Sequence, residues 1–292
     1  MSGLAEHSQP CARPCAHQVA IVEANDELAE RTWRLRLRCP EVARQCHPGQ
    51  FFMVRLPGRT DPLLGRPFAL YDTHGQAGGW TDLEIVHLVV GKVTTLLSGL
   101  RAGDAVEIWG PLGSRFPAIP EHVRRVTLVA GGIGQTPFLA YTRELLGDRG
   151  FGGLPAHRVA DRVELVYGAR RASLLAGLDA FSEAGAQVVA CTEDGSVGLR
   201  GRVTDGLGKL EKPEWIVACG PEPMLHAVAR WAREHAVPCH VSLETPMACG
   251  LGICFSCVVK VAASDQPAGW DYQRVCIEGP TFDAATLVDL HD

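Results

Sequence analysis

The chain has 292 residues, is 46% hydrophobic and 21% charged, and carries a formal net charge of -5, a balance typical of a globular protein with room for two or three domains. An acidic chain without a long basic stripe argues against nucleic acid as a partner, and the pairs Arg124-Arg125 and Arg170-Arg171 read as solvated surface. No uninterrupted apolar run approaches the roughly 18 residues of a membrane span, no basic-then-apolar leader opens the chain, and eleven cysteines fit free or metal-bound thiols in a reducing cytoplasm.

Residues 1–17, rich in Pro, His, Gln and Ala, are expected to form a disordered tail, in which Cys11 and Cys15 have no recognisable partner ligands. Short strands are predicted over Gln18–Val22, Thr32–Arg38, Gln50–Leu56, Phe68–Tyr71, Leu83–Val90 and Ala105–Trp109. Thr32–Arg38 alternates apolar residues with arginines, the period of a half-buried strand. Turns such as Pro48-Gly49 and Pro57-Gly58 separate these runs, so residues 18–120 are expected to form an antiparallel β-barrel. Within it, an Arg held before a Pro in Gly65-Arg-Pro-Phe-Ala-Leu-Tyr71 can offer its guanidinium fork to a phosphate, beside aromatic rings able to flank a flat ligand. A plain barrel strand is the competing reading. Gly91-Lys-Val-Thr94 can supply backbone and hydroxyl donors to a pyrophosphate or form an ordinary turn.

The texture then changes. Strands at Arg125–Ala130, Arg162–Tyr167, Gln187–Cys191 and Trp215–Cys219 alternate with helical stretches from Thr136, over Leu174–Ala184 and over Pro223–His235. That alternation predicts a parallel-sheet α/β domain over 121–236. Gly131-Gly-Ile-Gly134 follows a strand and leads to a helix, a context in which phosphates or a ring can approach the backbone, although it is not the G-x-G-x-x-G fingerprint. Cys219-Gly-Pro-Glu-Pro-Met224 lies at the end of another parallel strand, where ligands of open α/β sheets gather. Taken alone, Cys219 reads as a small buried residue. No Ser-His-Asp set or carboxylate pair stands out, and His87 and His226 read as surface or satisfied core.

The final segment, 237–292, contains Cys249, Cys254 and Cys257 in C-x4-C-x2-C spacing and a distant Cys276. This is the plant-type spacing of a [2Fe–2S] cluster. Zinc prefers two short Cys pairs and only one is present, a disulfide framework is foreign to a chain of this size without a leader, and buried thiols are the remaining alternative.

Together these motifs resemble the ferredoxin–NAD(P)+ reductase superfamily over about residues 18–290, and within it the family of electron-transfer subunits of NAD-dependent (class 1B) dihydroorotate dehydrogenases. The tail carries most of the likeness, through Cys249-Gly-Leu-Gly-Ile-Cys-Phe-Ser-Cys257, Tyr272-Gln-Arg-Val-Cys276 and Gly279-Pro-Thr-Phe-Asp283. The resemblance implies FAD on the barrel, at Arg66, Pro67, Phe68 and Ala69, with the backbone of Val86, His87 and Leu88, and with Val93 and Thr94 by the pyrophosphate. It implies NAD at Gly131, Gly132, Gly134, Cys219, Gly220 and Pro221, and cluster ligation by Cys249, Cys254, Cys257 and Cys276. Cys219 is the candidate nearest the nicotinamide; no catalytic residue is otherwise assigned. An FMN-containing catalytic subunit would oxidise dihydroorotate to orotate for pyrimidine biosynthesis, in a cytoplasmic heterotetramer of two plus two, and electrons would pass through the cluster and FAD to NAD+. Ala69, Leu88 and Val93 stand where the family usually has Ser, Arg and Gly. The same motifs would serve an NAD(P)H reductase for a hydrogenase, a sulfide-metabolising enzyme or an oxygenase, or a regulatory protein that has lost flavin. NADP is the alternative nucleotide, because Arg170-Arg171 follows the Tyr167 strand and can meet a 2′-phosphate.

Overall fold

The computed structural model describes residues 15–76 and 79–290. Of the expected tail, residues 1–14, with Cys11, lie outside the described residues, whereas Ala16 and His17 already belong to the first strand.

Seven antiparallel strands form the first sheet: β1 (Ala16–Ala29), β2 (Thr32–Arg38), β3 (Phe51–Arg55), β4 (Arg66–Ala69), β5 (Asp72–Gln76), β6 (Gly79–Leu88) and β7 (Ala105–Leu112). Their order is β4-β3-β7-β1-β2-β6-β5. Short helices α1 (Pro40–Ala43) and α2 (Lys92–Ser98) close its ends. The alternation of β2 has the expected consequence: Leu35 and Leu37 are fully buried in the sheet's core with Phe52, Val54, Leu83 and Ile85, each such side chain contributing about 1.5–3 kcal/mol. The intervening Arg36 donates to Glu84 Oε1 of β6 at 2.8 Å. The Tyr71 amide donates to the Glu84 carbonyl (2.8 Å) and the Leu70 amide to that of Gln50 (3.0 Å). These bonds draw the β4 edge towards β6 and curl the sheet into a barrel-like shell. The strand expected through Tyr71 therefore stops at Ala69, and β5, polar along its length, has no apolar alternation by which to recognise it.

The second sheet contains β8 (Arg125–Gly131), β9 (Arg162–Ala169), β10 (Gln187–Thr192), β11 (Leu199–Arg200), β12 (Trp215–Cys219) and β13 (Cys239–Ser242), with helices α3 (Phe138–Leu145), α4 (Leu178–Glu183), α5 (Val203–Leu207) and α6 (Glu222–Glu234). A hairpin, β14 (Val258–Ala262) and β15 (Trp270–Arg274), precedes β16 (Thr281–Asp283), which returns to pair antiparallel with β13. The order β11-β10-β9-β8-β12-β13-β16 is parallel apart from that last strand. Leu128, Val129, Leu165, Val166, Ile216 and Val217 are almost wholly buried, as a parallel sheet covered on both faces requires. The chain leaves β8 towards β9 on one side and later lays β12 on the other, so the switch point opens between the C-terminal ends of β8 and β12.

Two expected helices are shorter than the sequence suggests. A 3-10 turn, Gly132–Gln135, precedes α3. The stretch from Leu174 is broken at Gly177, whose φ of +72° suits glycine and where a Cβ would lie 2.5 Å from the Tyr71 hydroxyl. The barrel is thus fitted against the second sheet. Tyr71, Val86 and Phe116 share an apolar cluster with Leu128, Phe138 and Tyr167. Buried Asp72 accepts from both Arg143 (3.0 Å) and Arg149, and the Trp80 indole donates to the Gly150 carbonyl (3.0 Å).

Candidate functional site

The structure gathers Arg66, Pro67, Phe68 and Ala69 on β4, an edge strand paired only with β3 among the described residues. The exposed Arg66 guanidinium donates from Nη1 to the carbonyls of Leu64 and Gly65, both at 3.0 Å. Val86, His87 and Leu88 end β6. Phe68 and His87 meet edge to face with ring centroids 5.9 Å apart. His87 is 1% exposed, yet neither ring nitrogen has a hydrogen-bond partner among the described residues. Burial pushes it down to about 4 and keeps it neutral. It is therefore neither surface nor satisfied core, contrary to the expectation from sequence.

Thr94 organises the turn into α2: its hydroxyl accepts from the amides of Val90 (3.0 Å) and Gly91 (3.1 Å) and donates to the Gly91 carbonyl (3.0 Å). The hydroxyl is committed locally, so the turn offers an anion its first-turn amides, which lack intrahelical acceptors. Val93, in the place of the family's glycine, is 5% exposed and joins the barrel core around Leu97.

In the second sheet, Gly131 ends β8 and Gly132 and Gly134 follow it, while Cys219 ends β12, in register with Ala130, and Gly220 and Pro221 follow. The glycines let these two loops touch. A Cβ at Gly134 would lie 2.3 Å from the Cys219 carbonyl oxygen, and one at Gly220 3.0 Å from the Gly131 amide nitrogen. At Gly132, φ is +54° and a Cβ would meet nothing within 4 Å, so this turn faces open space. Burial raises the Cys219 thiol well above the usual range and keeps it protonated. Val86 of the barrel lies in the same apolar cluster as Cys219, which brings the two motifs together. Gln135 is fully buried with both amide atoms unpartnered among the described residues. Sequence reading passed over it because a lone Gln in a glycine turn carries no periodic signal.

The four cysteines converge as two pairs. Cys249 and Cys254 are within hydrogen-bonding reach of each other, as are Cys257 and Cys276. The Ser256 hydroxyl, then its amide, then Cys249 lower the exposed Cys254 thiol to about 6. Burial, then Cys257, raises Cys276. The loop turns on Gly250 (φ +73°) and Gly252 (φ +76°). A Cβ on Gly250 would lie 2.7 Å from Met53 Cγ, so glycine there lets the loop close on the barrel, and one on Gly252 would lie 2.6 Å from Ile277 Cγ1, so glycine there lets it close on the turn after β15. The Trp109 indole donates to the Cys249 carbonyl (3.2 Å), while its Cη2 lies 2.6 Å from where a Gly65 Cβ would be. Met53 is the cross-strand neighbour of both Pro67 and Trp109. The cysteine loop thus rests on β3 and β7, with β3 paired directly to β4. Neither Met53 nor Trp109 was marked in the sequence, because their importance comes from pairing across some 140 residues of chain.

Residues 20–116 match the oxidoreductase FAD-binding domain family, 128–230 the oxidoreductase NAD-binding domain family, and 244–288 the iron–sulfur cluster binding domain of dihydroorotate dehydrogenase B. The dihydroorotate dehydrogenase B (NAD(+)) electron transfer subunit of Geobacillus thermodenitrificans is 36% identical over 264 residues, covering 89% of this chain and 94% of that protein. The chain belongs to the family of dihydroorotate dehydrogenase B electron transfer subunits. The subunit of that name from Desulforamulus reducens is 33% identical over the same shares of the two chains. Among solved structures, an NADH-dependent reduced ferredoxin-NADP oxidoreductase, described for flavin-based electron bifurcation, superposes with a TM-score of 0.76 at 28% identity over 92% of this chain and 89% of its own.

As a member of this electron transfer subunit family, the chain has FAD-, NAD- and iron–sulfur cluster-binding domains, and the residues present fit those groups. Among the described residues no three His, Cys, Asp or Glu side chains surround a single ion position. Two thiol pairs instead match a cluster in which each iron takes two cysteines. The unpartnered His87 beside Phe68 of β4 is a buried polar group needing a hydrogen bond. The β8 and β12 loops meet at the C-terminal ends of their strands, where Gly132 faces open space and a nucleotide can approach the backbone. No helix among the described residues is long and apolar enough to cross a membrane.

Proposed function

We propose that this chain passes electrons from a dihydroorotate-oxidising, FMN-containing partner subunit through a [2Fe–2S] cluster and FAD to NAD+, in a cytoplasmic assembly of two plus two subunits. Dihydroorotate gives up two electrons and two protons to become orotate; NAD+ takes two electrons and one proton, and one proton is released. The bound flavin supplies the exchange between one-electron and two-electron transfer. The observation that carries the reading is the seat of the cysteine loop on β3, where Gly250 touches Met53, the cross-strand partner of Pro67.

In this reading Cys249, Cys254, Cys257 and Cys276 hold the cluster. Arg66 presents its guanidinium to the flavin's phosphates, Pro67, Phe68, Ala69 and the backbone of Val86–Leu88 bear the ring and its chain, and Val93 and Thr94 shape the turn at the pyrophosphate. Gly131, Gly132, Gly134, Gly220 and Pro221 admit the nicotinamide nucleotide. Cys219 presents a neutral thiol there, within the apolar cluster that also holds Val86. Leu251, Ile253 and Phe255 are 45%, 76% and 60% exposed around the cysteine loop; apolar side chains gathered at the cluster suit a surface covered by the partner.

Ala69 and Leu88, which withhold a hydroxyl and a guanidinium from the flavin strand, and the likeness to the bifurcating oxidoreductase favour a second reading, an NAD(P)H reductase for another electron-carrying partner. Dihydroorotate-dependent NADH formation, measured with the FMN subunit in the presence and absence of this chain, separates the two. The first reading expects NADH only when both are present; equal rates without this chain, or none with it, would overturn it.

A further inference from the structure

The loop after β9 holds Arg171, which sequence alone offers as a receptor for a 2′-phosphate. In the fold its guanidinium is already engaged. Arg171 Nη2 donates to both carboxylate oxygens of Glu30, at 2.6 and 2.8 Å, and its Nε donates to Ser173 Oγ at 3.0 Å. Ser173 Oγ donates in turn to Glu30 Oε2 (2.8 Å), and the Glu30 amide donates to the Ser173 carbonyl (2.9 Å). Glu30 comes from the turn between β1 and β2, so the barrel reaches across to occupy this arginine.

A second carboxylate acts on Arg171 from the end of β10. Asp194, just past β10, accepts from the Ser196 amide (2.9 Å) and hydroxyl (2.6 Å), and Ser196 Oγ accepts from the Ala172 amide (2.8 Å). The charges of Asp194 and Arg171 act on each other. Arg170 is exposed and its carbonyl accepts the Asp194 amide at 3.2 Å. The Arg171 guanidinium is therefore opposed by two carboxylates, Glu30 through hydrogen bonds and Asp194 through its charge.

This place matters because the adenosine end of a dinucleotide lies past the strand next to the glycine turn, where an acidic residue accepts from a ribose 2′-hydroxyl or an arginine takes a 2′-phosphate. A phosphate monoester brings about −1.5 to −2 charges near neutral pH. Placed at Arg171 it would meet Glu30 and Asp194, and specificity is gained as much by such repulsion as by attraction. An exposed ion pair is individually weak, but the repulsion follows from the carboxylate's position whether or not every hydrogen bond persists.

We propose that Glu30, contributed by the barrel, is a specificity-determining residue that cancels Arg171 and sets the nucleotide site for NAD over NADP. The proposal rests on the reading of the β8–β12 crevice as the nucleotide site. It explains why a chain with consecutive arginines at this position belongs to a family named for NAD(+).

Calorimetric titration of the flavin-loaded protein with 5′-ADP and with 2′,5′-ADP tests it without turnover. The wild type binds 5′-ADP the tighter. Glu30→Gln tightens 2′,5′-ADP about tenfold, a change of about 1.4 kcal/mol, while leaving 5′-ADP unchanged. Adding Arg171→Gln removes that gain, and Ser173→Ala, which frees one arm of the guanidinium, gives a smaller gain of the same sign. The ratio of NADPH to NADH use in ferricyanide reduction moves in parallel. Retained 5′-ADP binding with no change in the affinity ratio in Glu30→Gln would overturn the role of Glu30 while leaving the crevice in place, as would a gain that survives Arg171→Gln. Binding of neither nucleotide to the wild type would overturn the crevice and the proposal together.

Discussion

His87 has no hydrogen-bond partner among the described residues and is held neutral by burial, with its folded value near 4 against about 6.5 for a free imidazole. The unfolded chain takes up a proton below about pH 6.5 that the folded chain refuses until about pH 4. Stability is therefore full above the unfolded value and falls as the pH drops through this window, by about 3 kcal/mol for a shift of this size. His87→Phe removes that dependence. Urea-denaturation midpoints measured from pH 7 to pH 4 should fall less steeply in the variant; parallel curves would show that His87 does not titrate as its burial requires. Cys254 stands at the other extreme, exposed and acidified by Ser256. Cys254→Ser should abolish stoichiometric iron and sulfide while the flavin absorbance remains, and iron content equal to wild type would reject Cys254 as a ligand. The spacing of the four cysteines was legible in the sequence because ligand spacing is local. The isolation of His87 was not, because it depends on Phe68 and on the end of β6 closing around it.

At the scale of elements, the strictly alternating β2 and the continuous apolar runs of β8, β9 and β12 were legible from their periods alone. The break of the α4 region at Gly177 was not, because it answers to Tyr71 of the barrel. β5 was not either, since Asp72-Thr-His-Gly-Gln has no apolar face and is held by its pairing with β6 and by ions. Those ions make β5 a hinge pin between the two sheets. The Asp72 carboxylate is 3% exposed and bonded to Arg143 and Arg149, each 18% exposed. Asp72→Ala leaves the half-desolvated Arg149 guanidinium without its counter-charge and Arg143 with Asp148 alone, which costs about 3 kcal/mol. Chemical denaturation of the flavin-loaded protein should show that loss; a change within about 0.5 kcal/mol, as for an ordinary surface substitution, would mean that the Asp72 ion pairs do not hold the sheets together.

Over the whole molecule, three binding regions separated in sequence are drawn to one line. The cysteine loop rests on β3 and β7, β3 pairs with β4, the strand proposed to bear the flavin, and Val86 of the barrel shares an apolar cluster with Cys219, at the proposed nucleotide site. The order of the motifs could be read along the chain. Their line could not, since it is made by the Trp109 bond to the Cys249 carbonyl and by the contact of Gly250 with Met53. The direct test follows the cluster's paramagnetic signal in anaerobic protein whose cluster has been chemically reduced and whose excess reductant has been removed. On addition of NAD+, flavin-loaded protein reduced by two electrons per chain, shared between cluster and flavin, should lose the signal and form one NADH per chain, while flavin-stripped protein, holding one electron on its cluster, should keep it. A signal that persists with both flavin and NAD+ present would contradict a relay running from the cysteine loop across β3 and β4 to the crevice.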